Sequence, residues 1–142
     1  MSHGSRRILT LFLDANIIIS AAWKEGTEIS HLWRFESISL LTSSYVMGEV
    51  QRNLPAIDQI TRLRHLMRSV RILTLDDSIE LPEASVLPEK DRPVLAGAVQ
   101  SGTNYLVSGD KKHFGPLFGV SIRGTTVIPP PDLLSALREG RL

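Results

Sequence analysis

Apolar positions along the chain alternate between two kinds of run. Residues 8–13, Ile8-Leu9-Thr10-Leu11-Phe12-Leu13, are short and almost continuously apolar, the pattern of a strand buried on both faces in a parallel sheet. The run ends at Asp14, and residues 15–23 read as a helix stopped by Gly26. Thr27 is placed to cap a second helical stretch through Phe35, with Ile29, Leu32, Trp33 and Phe35 on its apolar side. Residues 38–41 form a second apolar strand, after which Ser43 or Ser44 caps a helix over 45–53. Pro55 suits the first position of a further helix whose stripe is Ile57, Ile60, Leu63, Met67 and Val70. Residues 71–75 are a third strand, and 76–92 a polar, acidic connection. A helix starts at Pro93, carries Val94, Leu95, Ala98 and Val99 on one face, and stops at Gly102. Residues 105–108 make a fourth strand ending at Gly109-Asp110. Weak strand signals follow at 120–122 and 126–128, and Pro129-Pro130-Pro131-Asp132 leads into a last helix over 133–138.

Strands alternating with helices predict an α/β fold of three layers, a mostly parallel sheet of about 4–5 strands flanked by helices. Right-handed crossovers then gather the C-terminal strand ends along one edge, where such folds bind ligands. The 142 residues are expected to form one domain, residues 1–6 being a disordered N-terminus. Zero cysteines exclude zinc fingers, iron–sulfur clusters and thiol catalysis and fit a reducing cytoplasm. No apolar run reaches the ~18–20 residues of a membrane span, and no secretory signal follows Met1. With 16 Lys and Arg against 15 Asp and Glu, the chain is not one that coats nucleic acid with a basic surface.

Four carboxylates change that picture. Asp14 follows the first strand and Asp110 the fourth, while Asp91 stands at the entry of the helix leading into the fourth. Glu49 lies one to two turns into the helix after the second strand, beside Val46 and Val50. Connectivity alone brings the first three to the ligand-binding edge, and Glu49 reaches it if its helix turns that face inward. Clustered carboxylates raise one another's pKa unless cations neutralise them. Oxygen donors without cysteine suit the hard cations Mg²⁺ or Mn²⁺, one ion or a pair about 4 Å apart, and the chemistry this favours is phosphodiester hydrolysis. The plainer alternative is that each acid merely caps a helix and complements its dipole; spacing alone leaves both open.

The segments holding these acids are more specific than the acids themselves. Leu13-Asp14-Ala15-Asn16, Gly48-Glu49-Val50, Lys90-Asp91-Arg92-Pro93-Val94-Leu95-Ala96 and Tyr105-Leu106-Val107-Ser108-Gly109-Asp110 resemble the PIN-domain ribonucleases, above all the prokaryotic branch holding the toxins of VapBC-type toxin–antitoxin pairs. The resemblance runs from Ile8 to about Ile128. It implies a cytoplasmic Mg²⁺- or Mn²⁺-dependent endoribonuclease, commonly a homodimer, paired with a protein antitoxin. On that resemblance Asp14, Glu49, Asp91 and Asp110 bind metal and position the attacking water, Asn16 orients Asp14, and Ser108 lines the site. The alternatives within the family are a housekeeping RNA-processing nuclease and an inactive module that binds RNA or a partner; retention of all four acids argues against the latter.

Other features weigh less. None of His31, His65 and His113 has metal-ligand spacing to another histidine, and hydrolysis by a metal site needs none; His113, three residues past Asp110, is the nearest candidate for a general base. Lys90, Arg92, Lys111 and Lys112 flank two of the acids and are the best phosphate contacts. Arg52, Arg62, Arg64, Arg68 and Arg71 read either as a solvated face or as an RNA-backbone track. Trp23, Trp33 and Phe35 are by default core, though an exposed patch there would fit the antitoxin segment that the toxin family's grooves receive. Asp76, Asp77, Glu80, Glu83 and Glu89 read as a solvated acidic loop. A receiver domain would want an acidic pair after the first strand, and a dinucleotide-binding domain a Gly-x-Gly-x-x-Gly turn where Asp14-Ala15-Asn16 stands.

Overall fold

The computed structural model describes residues 8–76 and 79–142. The N-terminal segment expected to be disordered, and Asp77 of the acidic loop, lie outside the described residues.

The apolar runs become strands β1 (Leu9–Leu13), β2 (Ile38–Ser43), β3 (Val70–Leu73) and β4 (Tyr105–Val107). Helices α1 (Ala15–Trp23), α2 (Ser44–Arg52), α3 (Ile57–Met67), α4 (Arg92–Gln100), α5 (Lys111–Phe114) and α6 (Pro130–Arg138) intervene, with β5 (Ser121–Ile122) and β6 (Thr125–Ile128) near the end. Among the described residues the sheet has six strands in the order β3-β2-β1-β4-β6-β5. Every pairing is parallel except the β5–β6 hairpin. The weak signals at 120–122 and 126–128 are the two strands of that hairpin, which bring the sheet to six against the expected 4–5. Its two-residue turn, Arg123-Gly124, has φ of 52° and 91°, the left-handed pair that matches the twist of tightly joined strands.

Leu11, Phe12 and Leu13 of β1 are completely buried, as are Leu106 and Val107 of β4, so the central strands carry apolar side chains on both faces. Gly97 lets α4 settle onto this sheet, because a Cβ there would stand 3.0 Å from Leu75 Cδ1 and 3.2 Å from Phe12 Cζ.

Two helical expectations are corrected. The helical stretch after Thr27 is a 3₁₀ helix over residues 28–34. Its three-residue period lines up Ile29, Leu32 and Phe35, of which Ile29 and Leu32 are buried. Thr27 makes no side-chain cap there. Helix α3 begins at Ile57, not Pro55, because the Gln59 side chain reaches back to accept from the Ala56 N–H at 3.1 Å. Its buried face is Gln59 and Leu63, while Ile57 is 85% exposed and Ile60 is also exposed. Polar anchoring set this rotation. Gln59 Nε2 donates to the Trp23 carbonyl, and Arg62 donates to the carbonyls of Ala22 and Trp23, tying α3 to the C-terminus of α1.

Candidate active site

Starting at the sheet centre, the chain steps outward from β1 to β2 and β3, then returns through α4 to β4 on the other side of β1. The order therefore reverses between β1 and β4, and the crevice at their C-terminal ends is the switch point where open α/β sheets hold ligands. Asp14 leaves β1 and Ser108-Gly109-Asp110 leaves β4 at that crevice.

Asp14 caps α1 and is 6% exposed. Its Oδ1 accepts from the Ala15 N–H at 2.8 Å, and its Oδ2 accepts from Ser108 Oγ at 2.8 Å and Asn16 Nδ2 at 3.0 Å. Burial pushes its pKa from 3.8 up to about 6; the charges of Asp91 and Glu49 add to the rise, and the bonds from Ser108 and Ala15 oppose it. Asn16 Oδ1 in turn accepts from the Gly109 N–H at 2.8 Å, and Ser108 Oγ accepts from the Asp110 N–H at 3.2 Å. One hydrogen-bonded chain thus fixes the Asp14 carboxylate against the start of the Asp110 segment. Asn16 and Ser108 both donate to the Asp14 carboxylate.

Asp110 caps α5, its Oδ1 accepting from the His113 N–H at 3.1 Å. The cap holds His113 one turn on, with Nδ1 2.9 Å from Asp110 Oδ2 and 3.1 Å from Asp91 Oδ2. Asp91 closes the 3₁₀ turn Glu89–Asp91, immediately before α4, and is 8% exposed. Burial raises its pKa, with the neighbouring His113 and Lys90 working against the rise and the Asp110 charge adding to it. Among the described residues, Asp91, Asp110 and His113 each offer one atom within 4.8 Å of the others.

Glu49 stands on the exposed side of α2 and does not converge into that group. Its charge nevertheless acts on Asp14 and on Tyr45, whose phenol is raised first by burial and then by Asp91 and Glu49. The Tyr45 hydroxyl donates to the Lys90 carbonyl at 2.6 Å, tying α2 to the Asp91 turn.

Lys90, Lys111 and Lys112 are exposed around the carboxylates. Arg92 is exposed too, but its Nε donates to the Leu87 carbonyl at 3.1 Å, so part of its guanidinium braces the connection. Arg62 leaves the proposed basic track, since it pairs with Asp58 and the α1 carbonyls. Trp33 is half-buried and donates to the Leu66 carbonyl, whereas Trp23 is 50% exposed. The sequence brings His113 forward only as the nearest candidate for a general base, without its second carboxylate neighbour. Its spacing from Asp110 was readable; its nearness to Asp91, twenty-two positions earlier, exists only once α4 and β4 have docked.

Burying several carboxylates at one crevice costs stability unless something offsets their charge. Asp91 Oδ2 is buried with no hydrogen-bond partner among the described residues. A buried carboxylate oxygen without an aligned hydrogen bond, beside a second carboxylate and an imidazole, is a donor set that fits a divalent cation.

No protein-family model matches the sequence, and no curated protein matches it. A chain in the crystal structure of VapBC2 from Rickettsia felis, bound to a DNA fragment from their promoter, superimposes with a TM-score of 0.66. The match covers 85% of this chain and 98% of that one at 14% identity. The fold is PIN-like. At that identity the likeness is one of architecture, and the chemistry rests on this chain's own residues. No helix among the described residues is long and apolar enough to cross a membrane.

Proposed function

We propose that the protein is a divalent-metal-dependent endoribonuclease and the toxin of a toxin–antitoxin pair. The observation carrying this reading is the buried Asp91 oxygen, without an aligned hydrogen bond and grouped with Asp110 around His113 at the switch-point crevice, with the charges of Asp14 and Glu49 acting there too. Asp14, Asp91 and Asp110, with Glu49 at the rim, are the residues that would hold Mg²⁺ or Mn²⁺. A cation bound there lowers the pKa of an attacking water and neutralises charge on the phosphodiester oxygens.

The chain's own residues do the rest. Ser108 and Asn16 hold the Asp14 carboxylate in one orientation, so the crevice is organised before substrate arrives. Lys90, Lys111 and Lys112 meet the RNA backbone as point charges, joined by the free part of the Arg92 guanidinium. In the reaction the water oxygen bonds to phosphorus as the bridging phosphorus–oxygen bond breaks, and the leaving oxygen takes up a proton. Trp23 and Ile57, exposed on α1 and α3, offer apolar contacts for an antitoxin segment, in keeping with the partnered VapBC2 whose fold the chain shares.

Incubation with mixed-sequence RNA in Mg²⁺ or Mn²⁺, and again in EDTA, tests the activity. Cleavage that survives EDTA defeats the metal-dependent reading. Expression in cells tests the toxin: growth arrest is expected from the wild type and not from Asp14→Asn, and normal growth with active enzyme leaves a housekeeping nuclease.

A further inference from the structure

His113 Nδ1, like Asp91 Oδ2, is buried and has no hydrogen-bond partner among the described residues. Yet the nitrogen lies 3.1 Å from Asp91 Oδ2 and 2.9 Å from Asp110 Oδ2, aligned as a donor to neither. Buried polar atoms normally find aligned partners. Two such atoms, converging with Asp110 Oδ2 without alignment, have the spacing of neighbouring ligands on one ion. Donors at right angles around an octahedral cation, each about 2.1 Å from it, lie about 3.0 Å apart.

Local structure holds the ring in place. The Asp110 cap starts α5, and its bond from the His113 N–H sets His113 on the same side of the first turn. Phe114, completely buried, anchors the next position, and Asp91, a buried residue, has its Oδ2 turned toward the ring. The imidazole is therefore positioned by two elements that the fold brings together.

We infer that His113 is a metal ligand through Nδ1, completing a mixed carboxylate–imidazole site with Asp91 and Asp110 that prefers first-row transition cations such as Mn²⁺ to Mg²⁺. The inference rests on the metal-dependent reading above and sharpens it. Imidazole suits first-row transition cations, whereas Mg²⁺ favours oxygen and gives up its waters reluctantly. A site of carboxylates alone has no such bias.

Mn²⁺ bound to the intact protein tests this without reference to cleavage. Pulsed electron paramagnetic resonance should detect ¹⁴N coupling from one imidazole in the wild type. In His113→Gln the coupling should vanish and Mn²⁺ affinity fall by about 10-fold or more, second-sphere losses alone costing 10–100-fold, while Mg²⁺ affinity changes far less. His113→Asp should restore binding without the nitrogen signal and move the preference toward Mg²⁺, which separates a lost ligand from a damaged fold. Mn²⁺ bound without ¹⁴N coupling, or coupling unchanged in His113→Gln, overturns the ligand assignment and leaves the carboxylate site standing. No Mn²⁺ binding by the wild type overturns both.

Discussion

Asp14→Asn is expected to abolish metal-dependent activity and, in the same molecule, to stabilise the metal-free protein at neutral pH. The native carboxyl has its pKa raised from 3.8 to about 6, chiefly by burial. Between those values the folded state binds more protons than the unfolded chain, so stability falls as pH rises through that window and is highest below it. At ~1.4 kcal/mol per pH unit, the whole rise corresponds to about 3 kcal/mol withheld from the metal-free protein above about pH 6. Asparagine carries no such charge. It does turn an N–H toward Asn16 Nδ2 and Ser108 Oγ, which now donate to Asp14 Oδ2, at a cost of about 1–2 kcal/mol. The variant should accordingly be weaker than wild type by about 1–2 kcal/mol near pH 4 and stronger by about 1–2 kcal/mol near pH 7.5. Urea unfolding of both proteins in EDTA across this range measures the crossing, with equal m-values showing that the unfolded states are comparable. A wild-type-to-variant difference that stays constant from about pH 4 to 7.5 would refute the claim that Asp14 sits as a buried, charge-strained carboxylate.

Three further perturbations probe other parts of the structure. Ser108→Ala removes the 2.8 Å bond that favours the charged form of Asp14; activity should drop about 10–100-fold and the acid limb of the pH–rate profile should move to higher pH. Gly97→Ala drives a methyl to 3.0 Å from Leu75 Cδ1; overpacking of about 1–3 kcal/mol outweighs the gain in helix propensity and should lower the thermal midpoint. Arg62→Ala breaks the ties from α3 to the Ala22 and Trp23 carbonyls; unfolding should become easier by about 1–2 kcal/mol, while cleavage per folded molecule is unchanged.

Much of the fold could be read from the chain because the central strands, buried on both faces, leave unmixed apolar runs at Leu11-Phe12-Leu13 and Leu106-Val107. Once strands and helices alternate, the crossover rule places Asp14 and Asp110 at one edge, and the structure puts their segments in hydrogen-bonded contact through Ser108 and Asn16. What periodicity misses is competition from polar groups. Gln59 rotates α3 by capping its own start and reaching Trp23, so Ile57 and Ile60 turn outward although their spacing marks a core stripe. The β5–β6 hairpin was faint because a two-residue strand carries almost no pattern, and its turn relies on backbone angles at Arg123 and Gly124. The contact of His113 with Asp91 was hidden for a third reason: that second carboxylate neighbour is set by tertiary docking, which no local spacing encodes.

On this reading Asp91, buried before α4 with one oxygen lacking an aligned hydrogen bond, is a metal-holding residue of an RNA-cleaving site. Single-turnover cleavage of single-stranded RNA, followed across a Mn²⁺ titration for wild type and Asp91→Asn, addresses it directly. Saturable, metal-dependent cleavage is expected from the wild type and none from a folded Asp91→Asn. Cleavage without divalent metal, or an Asp91→Asn titration that overlays the wild type, would contradict it.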